Sequence, residues 1–147
     1  MTAGGGIVAR RAGDGSLRVL LAAAHSDGAL GAIELAMAPG SPGPPLHVHP
    51  THGEGFYVLA GRPGLQVGDE VIVAEPGDWA FAPREVPHTL ANHGSAEARL
   101  LCVFAPGGFE RRFERILAET TGAPPPPGPS PEEEATRVLG PPLAPPS

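Results

Sequence analysis

Short apolar stretches, separated by glycine, proline and aspartate, recur along the chain as far as residue 105. In residues 31–38, for example, Ile33, Leu35 and Met37 fall on one side, which is the pattern of a half-buried strand. The same features predict strands at residues 17–23, 31–38, 55–60, 65–67, 71–74, 79–82, 88–92 and 98–104. Many short strands joined by turns predict an all-β sandwich or barrel.

The pattern changes on both sides of this β region. Residues 1–14 are predicted to form a flexible N-terminus, with room for a short edge strand at residues 7–11. Residues 109–119 predict a helix that packs one apolar face against the β region. That face consists of Phe109, Phe113, Ile116 and Leu117. We therefore divide the chain into the N-terminus, a barrel with a C-terminal helix at residues 15–121, and a proline-rich tail at residues 122–147.

The tail has a composition of its own, since ten of the last 25 residues are proline. Residues 124–127 predict extended polyproline II structure. One or two helical turns are predicted over residues 132–139, because Ser130 suits the N-cap and Pro131 the first helical position. The rest of the tail is expected to be mobile or to lie over a neighbouring molecule.

Composition excludes several classes of function. The net charge is −6 and there is no basic cluster, so nucleic-acid binding is not expected. All ten basic residues are arginine, which excludes a Schiff-base lysine in this chain. The longest apolar run, residues 19–24, is too short to cross a membrane, and no signal peptide is evident, so we expect a cytoplasmic protein. The single cysteine, Cys102, is expected to be a buried apolar residue.

Candidate chemistry is concentrated around two histidines. His47 and His49 are two residues apart, so on a strand both side chains point to the same side. An uninterrupted strand would aim Glu54 at the opposite side, but Pro50 and Gly53 break the strand, and a bend there would return Glu54 to the same interior. Imidazole and carboxylate groups together suit Zn, Fe, Ni, Cu or Mn.

A second stretch, which contains His88, completes a recognisable pair of motifs. The two motifs read His47-x-His49-x4-Glu54-x6-Gly61 and Gly77-x5-Pro83-x4-His88-x3-Asn92, with fifteen residues between them. They resemble the two motifs of the cupin superfamily, and the chain is similar to small single-domain bacterial cupins of the quercetin 2,3-dioxygenase-like kind. One departure is Glu85, which stands where the second motif usually has glycine.

The resemblance implies a double-stranded β-helix (jelly-roll) barrel that holds one divalent transition metal, which could be Fe, Mn, Ni, Cu or Zn. The implied metal ligands are His47, His49, Glu54 and His88. It also implies a homodimer. The expected function is that of a metal-dependent oxygenase acting on a small aromatic or enol-bearing molecule, with Glu54 as the catalytic residue that accepts a proton from a substrate hydroxyl. The alternatives are a non-redox isomerase or cyclase of a small biosynthetic intermediate, and a module that binds a small ligand without turnover.

Other residues near the motifs have structural or open roles. His52 is either an alternative ligand, a partner of a ligand or an exposed loop residue, and the last two are favoured. Asn92 is expected to bond backbone groups at the end of its strand. The candidates for an apolar cavity lining are Phe56, Val58, Trp79, Phe81, Leu90 and Phe104. Tyr57 should face the opposite way, because side chains alternate along a strand.

Overall fold

Ten strands form two antiparallel five-stranded sheets in the computed structural model, which describes residues 16–146. The strands are β1 (Leu17–Leu21), β2 (Gly31–Met37), β3 (Pro45–Val48), β4 (Gly53–Ala60), β5 (Gly64–Val67), β6 (Glu70–Val73), β7 (Trp79–Ala82), β8 (His88–Ala91), β9 (Ala98–Ala105) and β10 (Arg137–Pro142). The first sheet has the order β1-β2-β9-β4-β7, and the second has the order β10-β3-β8-β5-β6. The predicted edge strand at residues 7–11 lies outside the described residues.

The hydrophobic core lies between the two sheets and follows from the alternation of residues along their strands. In β9, the central strand of the first sheet, every second residue is buried: Ala98, Leu100, Cys102 and Phe104. The second sheet contributes Leu65 and Leu90, which face each other across β5 and β8. The predicted all-β barrel is confirmed, and Cys102 is buried as expected.

Helix α1 (Arg111–Thr121) follows the first sheet and packs on it, as predicted. Its buried positions are Leu117 and Ala118, and Phe113 is packed against the core. The helix starts two residues later than predicted, so Phe109 is buried ahead of it. Within residues 16–146, no helix is both long and apolar enough to cross a membrane.

The tail contains one predicted and one unpredicted element. Helix α2 (Pro131–Ala135) begins with a capping box, in which the Ser130 side chain accepts from the Glu133 backbone N–H and the Glu133 side chain accepts from the Ser130 backbone N–H. The helical turns predicted over residues 132–139 end at Ala135, because residues 137–142 form strand β10. For residues 140–142, the expectation that the rest of the tail is mobile or lies over a neighbouring molecule is therefore wrong. Strand β10 pairs with β3 of its own chain, with Arg137 opposite Val48 and Val138 opposite His47. It covers an edge of the second sheet that would otherwise leave backbone groups unpaired.

Two of the predicted cavity residues face outward instead. Trp79 and Phe81 are 53% and 49% exposed, because β7 pairs with β4 in a register that places them opposite Tyr57 and Gly55 on the outer face. The aromatic rings lie over glycines of β4: a Cβ atom at Gly55 would be 2.5 Å from the Trp79 ring, and one at Gly53 would be 2.6 Å from the Phe81 ring. Tyr57 faces outward, as predicted.

Candidate metal centre

The chain passes from one sheet to the other between the two histidines and the glutamate of the first motif. Strand β3 ends at Val48 in the second sheet, His49 follows, and β4 begins at Gly53 in the first sheet. The predicted bend is therefore the crossing between the sheets. It places Glu54 opposite the histidines across the barrel interior.

The structure brings the four predicted residues together. One ligand atom from each of His47, His49, Glu54 and His88 lies within 4.8 Å of the others. Glu54 Oε1 is 3.2 Å from His49 Nε2 and 3.1 Å from His88 Nε2. His49, His88 and Glu54 are buried, and His47 is half-buried. The four residues could hold a metal ion, and their individual roles as ligands stay a prediction.

Hydrogen bonds on the far side of each ring orient the histidines. His47 Nδ1 is 2.7 Å from the Pro45 carbonyl oxygen, and His88 Nδ1 is 3.0 Å from the Val86 carbonyl oxygen. A carbonyl oxygen only accepts, so each Nδ1 carries a hydrogen and Nε2 is the atom that faces Glu54 or its neighbours. His49 Nδ1 has a hydroxyl partner instead, Thr136 Oγ1 at 2.8 Å.

The buried atoms of the site fit a bound cation. His49 Nε2 is buried without a hydrogen-bond partner, although the Glu54 carboxylate lies close to it. A carboxylate oxygen and an unprotonated ring nitrogen are both acceptors, so neither satisfies the other. A cation between them would satisfy both, and a donor set of three imidazoles and one carboxylate suits a divalent transition metal. The residues therefore fit the metal that the sequence predicts.

The ionisation of the site is consistent with this fit. Burial opposes the charge on Glu54, but its contacts with His49 and His88 outweigh burial and lower the pKa of the carboxyl to about 2. For His88, burial works against the protonated ring, but the Glu54 carboxylate outweighs it and raises the pKa. Burial lowers the pKa of His47. The site thus keeps its carboxylate charged and attracts positive charge.

Of the two favoured expectations for His52, the exposed loop residue is wrong, because the side chain is buried, and the partner of a candidate ligand agrees with the structure. Its ring stacks on that of His49, with centroids 4.3 Å apart, and it also contacts Phe104 and Phe109. Its Nδ1 lies 2.9 Å from Thr51 Oγ1. Burial, and then the electrostatic effect of the neighbouring His49, lower the pKa of His52 to about 4. His52 is therefore a neutral packing partner of His49.

Two residues of the second motif have clear structural roles. The Asn92 side chain is fully buried and donates to the Met37, Ala38 and Ala96 carbonyls, which confirms its predicted role. Glu85, at the position of the usual glycine, has a φ of 67°, a conformation that glycine adopts at little cost. Its backbone N–H donates to the His49 carbonyl oxygen over 3.0 Å, so this turn borders the candidate metal centre.

The four residues are connected to a cavity of about 390 Å³, because His47 and Glu54 form part of its wall. The rest of the wall is mostly apolar and comes from both sheets, α1 and the tail. It consists of Ile33, Leu35, Met37, Pro44, Pro45, Leu90, Cys102, Phe109, Arg112, Phe113, Ile116, Glu133, Thr136 and Val138. Of the lining residues predicted from the sequence, only Leu90 belongs to this wall. The contributions of Thr136 and Val138 were missed, because nothing in the local sequence shows that β10 pairs with β3.

Comparison with known proteins identifies this architecture. The sequence profile of the cupin domain matches residues 33–104. We refer to residues 33–104, which match this profile, as the cupin domain. This cupin domain contains all four residues of the candidate metal centre, whereas α1, α2 and β10 lie beyond it.

Individual relatives share the cupin domain at moderate similarity. The uncharacterized protein MJ1618 of Methanocaldococcus jannaschii is 33% identical over 61 residues, which are 42% of this chain and 49% of that protein. The match thus spans about half the length of this curated relative. The structure of TT1209 from Thermus thermophilus is 28% identical, has a TM-score of 0.54, and is similar over 66% of this chain and 90% of that chain.

A third relative is an enzyme with a stated activity. The polyketide cyclase RemF from Streptomyces resistomycificus is 26% identical, with a TM-score of 0.53, over 60% of this chain and 63% of the cyclase. These similarities confirm the double-stranded β-helix for the cupin domain.

Proposed function

We propose that this protein is a metal-dependent enzyme, an oxygenase that acts on a small aromatic or enol-bearing molecule. The observation that carries the proposal is the position of His47 and Glu54 in the wall of the apolar cavity. A molecule in that cavity would have direct access to the metal-binding atoms, which a purely structural metal site does not offer. The volume of about 390 Å³ falls in the usual range for small-molecule sites.

The chain's own residues would perform three tasks in this reaction. Leu90, Phe109 and Phe113 would hold the apolar part of the substrate and exclude water. Arg112, also in the wall, adds a cationic group that suits an enolate oxygen. Glu54, kept ionised by its histidine neighbours, would accept a proton from the substrate hydroxyl. A bound redox-active metal would supply the one-electron chemistry that a reaction with oxygen requires.

A second candidate function is a metal-dependent cyclisation without oxygen. The similarity to the polyketide cyclase RemF, over 60% of this chain, favours it. The same cavity and the same carboxylate would serve, because cyclisation of an enol-bearing chain also begins with removal of a proton.

The two candidates differ in their requirement for oxygen. Protein purified without chelator or nickel resin would be analysed for bound metals and then incubated with flavonols and with enol-bearing polyketides in an oxygen electrode. Uptake of oxygen together with loss of substrate would support the oxygenase, and product formation under argon would support the cyclase. A ligand that raises the melting temperature but is recovered unchanged would contradict both.

Variants of the candidate ligands test the site itself. We expect His47→Ala and Glu54→Ala to lose most of the bound metal, because each change removes one of four donors, while the β-sheet circular dichroism remains. The matched control is His25→Ala, which removes an exposed histidine at the end of a short helical turn. Metal retained at the wild-type level in both site variants would contradict the assignment.

A further inference from the structure

The tail reaches the candidate metal centre from outside the cupin domain. Residues 130–142, which we call the C-terminal segment, include α2 and β10. Their backbone runs beside β3, so that Val138 lies opposite His47. Glu133, Thr136 and Val138 form part of the cavity wall. The segment is therefore part of the same cavity as the four candidate ligands.

Several interactions hold the C-terminal segment in place. The Arg115 guanidinium of α1 forms an ion pair with Glu133 of α2, whose side chain is only 6% exposed. The capping box fixes the start of α2 at Ser130, and pairing with β3 fixes β10. Thr136, which follows α2 and precedes β10, is thus held from both sides.

Thr136 has a defined hydrogen-bonding direction. Its hydroxyl donates to the Glu132 carbonyl oxygen over 2.9 Å, which commits its only hydrogen. The same oxygen lies 2.8 Å from His49 Nδ1, so it can only accept from that ring. The hydrogen of His49 is therefore held on Nδ1, and the lone pair of Nε2 points towards Glu54.

This arrangement sets His49 apart from the other two histidines. His47 and His88 donate to carbonyls two residues earlier in the chain, so their orientation is a local property. The partner of His49 is 87 residues away and lies beyond the cupin domain. Partners on the far side of a metal-binding histidine fix its tautomer and orientation, and they raise its basicity.

We propose that Thr136 is a positioning residue of the metal centre, because it orients His49. The C-terminal segment thus supplies the hydrogen-bond partner of His49 that the cupin domain alone does not provide. The expected effect on metal affinity rests on the proposed metal binding. The effect of Thr136 on the His49 tautomer does not depend on it. Without the Thr136 oxygen, the ring hydrogen would move to Nε2, where it could bond to Glu54 Oε1 at 3.2 Å. That hydrogen would occupy the lone pair that the metal needs.

The test compares Thr136→Val, which keeps the shape of the side chain but removes the acceptor, with Thr136→Ser, which keeps the hydroxyl. The control is Thr120→Val, the same change on the exposed side of α1, where the hydroxyl bonds only helix carbonyls. Affinity for Co²⁺ would be measured by competition with a coloured chelator. We expect Thr136→Val to bind Co²⁺ about 10- to 100-fold more weakly, and the serine and control variants to bind it as the wild type does.

A second measurement separates this inference from the proposed function. Long-range nitrogen-15 NMR of the metal-free proteins would report which nitrogen of His49 carries the hydrogen. We expect Nδ1 in the wild type and in Thr136→Ser, and a shift to Nε2 in Thr136→Val. If the wild type binds no Co²⁺ but the tautomer shifts as expected, the proposed function fails and the positioning role of Thr136 stands. An unchanged His49 tautomer in Thr136→Val would overturn the inference. If the wild type binds Co²⁺, an unchanged Co²⁺ affinity in Thr136→Val would overturn it as well.

Discussion

Glu85 illustrates, at the scale of single residues, how a departure from a motif is accommodated. It adopts the positive φ that the usual glycine would adopt, and its carboxylate pairs with Arg137 of β10 over 3.3 Å. Left-handed backbone costs roughly 1–2 kcal/mol for a residue with a side chain. An exposed ion pair such as this one stabilises the fold by about 0–1 kcal/mol. The glutamate is therefore tolerated at a net cost to stability.

Substitution of Glu85 should separate the cost of its left-handed backbone from the contribution of its ion pair. We expect Glu85→Gly to be more stable than Glu85→Ala by about 1 kcal/mol, because both lose the ion pair but only glycine relieves the backbone. Urea unfolding of the two variants measures the difference. Equal midpoints would show that this turn carries no strain.

His52 should make stability depend on pH. Its pKa is about 4 in the folded protein and ordinarily 6.5, so the unfolded chain binds a proton at higher pH than the folded one. The stabilising contribution of the neutral ring is complete above pH 6.5 and is lost as the pH falls from 6.5 towards 4. The loss is at most about 3 kcal/mol. Glu54, whose pKa falls from 4.5 to about 2, adds a further loss below pH 4.5.

The variant that isolates this effect is His52→Phe, which keeps a ring among Phe104 and Phe109 but does not titrate. In urea unfolding of the metal-free proteins, we expect its free energy of unfolding to change much less between pH 6.5 and 4 than that of the wild type. His25→Ala serves as the control. A pH dependence in His52→Phe as steep as in the wild type would assign the acid sensitivity to other groups.

At the scale of elements, the sequence predicts strands and helices that have local signals, and it misses a strand that depends on pairing with a distant part of the chain. Alternation and turn residues locate strands such as β7 and the β5–β6 hairpin, and the serine–proline pair locates α2. The two motifs predict the four residues of the candidate metal centre. Strand β10 was missed because its prolines and glycine oppose strand formation, and they are tolerated only because it is an edge strand. Thr136 was missed with it.

The cap of α2 should control the order of the whole C-terminal segment. We expect Ser130→Ala to lower the stability of α2 by about 1 kcal/mol, since it removes the acceptor for the Glu133 N–H. Hydrogen exchange should then become faster in α2 and β10 and stay unchanged in β9. Ser95→Ala, an exposed turn residue, is the control. Unchanged exchange in β10 would mean that the strand is held independently of the helix.

At the scale of the whole molecule, the outer face of β4 and β7 exposes large apolar side chains. They are Tyr57, Leu59, Trp79 and Phe81. A contiguous apolar surface of this kind is typical of a protein–protein contact. The homodimer expected from the sequence stays a prediction, and this face is the one that suits it.

Charge placed on this face should separate the protomers. We expect Trp79→Glu to be monomeric in light scattering at concentrations where the wild type has the mass of a dimer, because the contact would bury an unpaired carboxylate. Leu139→Glu, on the exposed side of β10, is the matched control and should keep the wild-type mass. A dimer that persists in Trp79→Glu but dissociates in Leu139→Glu would place the contact at the tail instead.

The packing of Trp79 over Gly55 also makes the fluorescence of this tryptophan a probe of the outer face of β4. Trp79 is the only tryptophan, and its ring lies on the outer side of β4, whereas Glu54 on the same strand belongs to the cavity wall. Burial of the indole in a contact would shift its fluorescence to shorter wavelength, and occupation of the cavity would leave the indole in the same solvent. The emission spectrum of the unlabelled protein therefore distinguishes association from ligand binding.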